Sequence, residues 1–174
     1  QNIQMIAMEI FDSMKKIHGM GARERLLLQI AAMLHDVGKY ISLNSPGQCT
    51  YHIIMSNEII GLSHAEREMI ALIGRYNTEY LPQYDQFAQA AAVSEEKYLK
   101  IAEMTAILRL ANTLDRSHQQ KVQQARAVLK ERELTLYLTV NGDFTLEQGL
   151  CKDKMDFFYE VFSVRPILKV KRQL

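Results

Sequence analysis

Cysteine is nearly absent from this 174-residue chain, and neither sign of charge is in excess, with 21 basic and 20 acidic side chains and a net charge of +1. The two cysteines, Cys49 and Cys151, lie far apart and follow no metal or redox spacing. A reducing compartment is the simplest reading, with one long-range disulfide as the alternative. A balanced charge gives the whole chain no general attraction to nucleic acid or to an acidic membrane surface, so local clusters must carry any such preference. No apolar run reaches the ~18 residues of a membrane span. The start, Gln1-Asn2-Ile3, has neither Met nor a basic leader and enters helical periodicity at once, which reads as a cut from a longer cytoplasmic polypeptide.

What is present is core-forming. Hydrophobic residues make up 48% of the chain, enough for one domain with a small appendage. Apolar side chains recur at helical spacing over 3–17, 23–37, 51–60, 63–76 and 94–114. Ser63 and Glu66 form a capping box. Gly38 is read as a left-handed cap that ends the second helix. Tyr76, Tyr80 and Tyr84 flank Pro82 and are read as packing its loop onto the bundle.

After about residue 131 the period changes to two. Leu134, Leu136, Leu138 and Val140 alternate with polar positions, as in a half-buried strand. Asn141-Gly142 predicts a hairpin turn with a returning strand over 144–147. A helix over 153–162 and a strand over 166–170 follow. The predicted fold class is mostly α, a helical domain over 1–130 with a β-β-α-β appendage over 131–174.

The most informative run is Leu34-His35-Asp36-Val37-Gly38-Lys39. A His-Asp pair at a helix end combines a neutral imidazole with a charge-neutralising carboxylate, which suits a divalent metal and a metal-activated water. This run resembles the central motif of the HD superfamily of metal-dependent phosphohydrolases, and implies an HD-like bundle. More narrowly, the chain is similar to the C-terminal region of the exopolyphosphatase / guanosine pentaphosphate phosphohydrolase family (Ppx/GppA). The blocks IFDSMKKIHGM (10–20), LLLQIAAMLHDVGKYI (26–41), SNEIIGLSHAEREMIALIGRYN (56–77) and LRLANTLDRSHQQK (108–121) carry that resemblance.

The resemblance implies that bond breaking, with Mg²⁺, belongs to two N-terminal domains of the actin-like ATPase type, which carry the phosphate loops. The eight glycines here are scattered and form no such loop. It further implies a non-catalytic role in binding polyphosphate or guanosine pentaphosphate, and in homodimer formation. Superfamily members place another ligand on an earlier histidine, which falls upstream of Gln1, and on an aspartate where this chain has Asn112. His35 and Asp36, with Asp115 one turn beyond Asn112, are therefore the candidate metal ligands. The bland alternative is a buried, hydrogen-bonded pair that fixes the helix end. His18 reads as a satisfied helix-end histidine favoured there as a cation, His52 and His64 as surface residues, and His118 as a turn residue.

Between positions 109 and 132 six basic residues stand against two acidic ones, with Lys169, Lys171 and Arg172 as a second cluster. Such a strip suits a polyanion. Its bland reading is a solvated helix face. Arg116, Lys121 and Arg126 are the phosphate-binding candidates, with Lys39 and Arg75 beside them. Nucleic acid is disfavoured as a partner because no aromatics interleave the charges. Two rival readings remain: an active HD-type phosphohydrolase acting on a nucleotide or phosphoester, and a protein-interaction module.

Overall fold

The helical periodicity of the first two thirds of the chain is realised in a computed structural model that describes residues 2–173. In chain order the elements are α1 (Asn2–Ser13), α2 (Lys15–His18), α3 (Ala22–Leu34), a 3-10 turn (Val37–Tyr40), α4 (Pro46–Met55), α5 (His64–Tyr76), α6 (Tyr84–Ala90), α7 (Glu95–Thr113), β1 (Val122–Lys130), β2 (Glu133–Val140), α8 (Thr145–Leu150), α9 (Lys152–Phe162) and β3 (Arg165–Arg172). The fold is mostly α with a small β appendage. Packing defines two compact units, Ala22–Thr105 and Gln1–Gly21 with Ala106–Leu174. These units do not coincide with a division at residue 130, because α1 and β1 belong with the rest of the sheet.

In the unit Ala22–Thr105, α3, α4 and α5 bury Leu27, Leu28, Ala31, Ile54, Ile70 and Ile73. Removing each of the leucine and isoleucine side chains from water contributes about 1.5–3 kcal/mol. The Ser63 hydroxyl accepts the Glu66 amide at 3.2 Å, and the Ser63 amide donates back to the Glu66 carboxylate at 2.8 Å, so the capping box closes. Tyr98 donates to the Pro82 carbonyl at 2.7 Å, and Tyr84 stacks on Tyr98. Tyr76 and Tyr84 thus pack around the Pro82 loop as read, whereas Tyr80 is exposed.

Gly38 is essential for a different reason from the one its position suggested. The glycines with left-handed backbone are Gly19, Gly61 and Gly142, and Gly38 is not among them. A β-carbon on Gly38 would collide with the Pro46 carbonyl and lie 2.5 Å from the Thr50 amide. The turn after α3 must approach the start of α4 this closely because the Gly38 amide donates to the buried Thr50 hydroxyl at 3.0 Å.

The other unit holds the sheet, with strand order β1-β2-β3. β1 and β2 are antiparallel and β2 and β3 parallel, with Ala127 opposite Leu136 and Leu136 opposite Leu168. Leu134, Leu136, Leu138 and Val140 are buried, confirming the alternation read for that strand. Two other expectations are corrected. The hairpin turns at Glu131-Arg132, with Glu131 at φ 55°, rather than at Asn141-Gly142. Residues 144–147 begin α8 instead of a returning strand. The cause is local: the Asp143 carboxylate accepts both the amide and the hydroxyl of Thr145, which starts a helical turn. Phe144 and Glu147 are then buried together, three residues apart as a helix face requires.

α1 closes the free edge of β1. Glu9 accepts the Ala127 amide at 2.9 Å, and Ser13, one turn later, donates to the Ala127 carbonyl at 3.0 Å. An edge so covered offers less template for another strand. At the end of this segment the Met20 amide donates to His18 Nδ1 at 2.9 Å, while Nε2 lies 2.8 Å from the Phe11 carbonyl. His18 is therefore satisfied as a neutral ring with its hydrogen on Nε2, not as a cation. Replacing Gly38 with alanine should lower the free energy of unfolding by about 3 kcal/mol or more, measured by urea denaturation, because backbone atoms rather than a flexible side chain must move.

Candidate functional site

The His-Asp turn lies in the unit Ala22–Thr105, where α3 ends at Leu34. His35 is buried, and its Nδ1 lies 2.9 Å from the Ala32 carbonyl. A carbonyl only accepts, so the ring hydrogen sits on Nδ1. Asp36 is partly exposed and faces Lys39 Nζ at 3.9 Å across the 3-10 turn. Thr50 joins this turn to α4: its hydroxyl accepts the Gly38 amide and donates to the His35 carbonyl at 3.4 Å. The pair thus occupies a hydrogen-bonded helix end.

Asp115, in the other unit, is committed to its own loop. Its carboxylate accepts the Gln120 amide at 3.0 Å and its carbonyl accepts the His118 amide at 2.9 Å. His118 and Gln120 both have left-handed backbone, at φ 53° and 51°, and the buried carboxylate helps hold that turn. Among the described residues no group of three or more His, Cys, Asp or Glu side chains is placed to hold a metal ion. His35 and Asp36 offer two donors in their unit, one fewer than a catalytic zinc site draws from its protein.

The basic run does not form one helix face. Arg109 lies in α7 with its guanidinium 4.3 Å from the Phe157 ring, and burial lowers its pKa. Arg116 sits exposed in the loop after α7 and makes no side-chain hydrogen bond or ion pair among the described residues. Lys121 reaches inward to Glu147, with Nζ 3.2 Å from Oε1. Arg126 and Lys130 stand exposed on β1. Arg75 is held by Glu79 at 2.8 Å and packs near the Tyr76 ring. Of the five cations proposed from sequence to meet phosphate, Arg116 and Arg126 remain available, Lys39 and Arg75 have acidic neighbours, and Lys121 is a structural partner.

The Lys121–Glu147 pair had no signal in the sequence, since the partners are 26 positions apart. The Glu147 side chain is fully buried. Burial opposes its charge most strongly, but the Ser117 hydroxyl, the backbone amide and Lys121 together outweigh it, and its pKa falls below the ordinary carboxylate value. The ion pair ties the segment leading into β1 to helix α8. Cys151 is also buried, and burial pushes its thiol up to about 12, which leaves it inert at neutral pH. Both cysteines are free.

Sequence reading also missed the pairing of Tyr137 with Lys169, which stand side by side on β2 and β3 with Nζ 5.5 Å from the ring centroid. A two-residue period runs through Arg126, Val128 and Lys130, but the sequence reading assigned the chain up to residue 130 to the helical domain.

The chain combines a helical array with a three-stranded sheet that carries cations on its open side. The chain matches the family model for Ppx/GppA phosphatase, domain III, over residues 1–157, and it belongs to the Ppx/GppA phosphatase family. No curated protein matches it. Among the described residues no helix is long and apolar enough to cross a membrane.

The buried ion pair makes a signed prediction. Glu147 has a lowered folded-state pKa, so its contribution is complete above the ordinary carboxylate range and is lost as pH falls through it. Lys121→Met leaves the carboxylate buried without its cation and should cost about 3–5 kcal/mol at pH 7. That deficit should shrink towards pH 5 as Glu147 takes up a proton. Urea denaturation at both pH values reads the difference.

Proposed function

We propose that this chain is the substrate-holding and subunit-pairing region of an exopolyphosphatase or guanosine pentaphosphate phosphohydrolase, inactive by itself, with catalysis carried by preceding actin-like ATPase-type domains of the same cytoplasmic protein. The observation that carries the proposal is the match to the third domain of the family over residues 1–157. Two features of the chain support it. Arg116 and Arg126 present unpaired guanidinium groups among the described residues, and a guanidinium grips phosphate oxygens through two parallel hydrogen bonds. Tyr40 and Leu43, 88% and 85% exposed, follow the His-Asp turn with Ile41 between them. Apolar side chains exposed at this density suit burial against another protein surface. In this reading the His-Asp turn keeps a structural role, fixing the end of α3 against Thr50.

The purified chain should bind polyphosphate, measured by calorimetry at low salt, and release no phosphate from polyphosphate or guanosine pentaphosphate with Mg²⁺. Phosphate release that is abolished by His35→Ala would contradict the assignment and favour an active HD-type hydrolase.

A further inference from the structure

The sheet has one apolar and one open face, and the strand register decides which side chains share the open one. Opposite Tyr137 of β2 stand Arg126 of β1 and Lys169 of β3. The neighbouring row holds Gln124, Thr139 and Lys171. Arg126, Tyr137, Lys169 and Lys171 are all exposed. Strands lie about 4.8 Å apart, so Arg126 and Lys169 flank the tyrosine within roughly 10 Å of each other. At the far end Lys130 faces Glu133 and Arg165 packs over the Tyr159 ring, whereas the two rows around Tyr137 contain no carboxylate.

The same place carries a groove. The register shifts by one residue between Val122 and Gln124, as at a β-bulge, and a depression of about 470 Å³ lies beside it. Gln124, Arg126, Tyr137 and Thr139 line it. Lysines on a terminal strand are often a device against edge-to-edge pairing, which accounts for Lys169 and Lys171 alone. It does not account for an exposed tyrosine on the central strand beside an arginine and a cavity with amide and hydroxyl groups. Cations alone would suit any polyanion, but an exposed ring adds a surface on which a planar base can stack, and the amide and hydroxyl can meet its polar edge.

We propose that the open face around Tyr137 binds single-stranded nucleic acid, with one base stacked on Tyr137 in the groove and the backbone phosphates held by Arg126, Lys169 and Lys171. This goes beyond the phosphatase reading, since inorganic polyphosphate has no base. The sequence disfavoured nucleic acid for want of aromatics among the charges. The register supplies one from a different strand.

The test uses the 174-residue chain, a fluorescein-labelled twelve-nucleotide oligothymidylate and unlabelled polyphosphate, with affinities from fluorescence anisotropy and competition. Tyr137→Ala should weaken the oligonucleotide roughly tenfold or more while leaving polyphosphate affinity unchanged, and Tyr137→Phe should retain both. Lys169→Ala with Lys171→Ala should weaken both ligands and flatten the salt dependence. Circular dichroism of each variant reports folding, and the two lysine changes, lying on the exposed face, keep the test open if Tyr137→Ala unfolds. Absence of oligonucleotide binding at low salt would overturn the proposal. So would Tyr137→Ala that folds and binds as well as the parent, or losses equal for both ligands, either of which would reduce the face to a general anion surface.

Discussion

Leu134, Leu136 and Leu138 can all be buried only if β1 and β2 pair in one register, and the direct turn at Glu131-Arg132 sets it. Side chains alternate strictly along a strand, so a slip of one residue would either carry Arg126 into the apolar layer or expose the leucines. The cost of burying a guanidinium without a partner far exceeds any gain from the slipped pairing. The distribution of charge on the open face is thus a consequence of core packing, transmitted across three strands by hydrogen bonds. β3 inherits it through its parallel pairing with β2, which places Lys169 beside Tyr137. The Lys121–Glu147 pair and the Glu9–Ala127–Ser13 bonds then fix where β1 begins and what covers its edge.

The sequence and the fold agree where local signals and burial point the same way. The Ser63–Glu66 box, the leucine alternation of β2 and the amphipathic helices are local patterns that tertiary packing reinforces. They diverge where a local signal had a stronger competitor. Asn141-Gly142 is a good hairpin turn in isolation, yet Asp143 and Thr145 start a helix that buries Phe144 and Glu147. The stretch before residue 131 has few strand-forming residues apart from Val122 and Val128, and its two-residue period emerges only when β2 is available to pair. Gly38 was legible as a helix stop, but its reason is a close approach of two backbones that no single-residue signal encodes.

The candidate site was legible in composition and illegible in partnership. A run of cations can be counted in a sequence, but which of them spends its charge internally depends on contacts between distant positions. Lys121 is drawn inward by a glutamate on α8, and Arg75 by Glu79 one turn away. Arg116 and Arg126 stay exposed, and neither is held in an ion pair among the described residues. Likewise His35 and Asp36 were recognisable as a motif, while the hydroxyl of Thr50, which makes their turn a structural joint, lies on the next helix.

In the proposed function, polyphosphate is held by exposed guanidinium groups of this chain. The most direct measurement is the salt dependence of polyphosphate affinity for the parent chain and for Arg126→Ala. Each cation that displaces a counterion adds nearly one to the slope of log affinity against log salt. The account predicts a weaker affinity and a slope shallower by about one in the variant. An unchanged affinity and slope would contradict it.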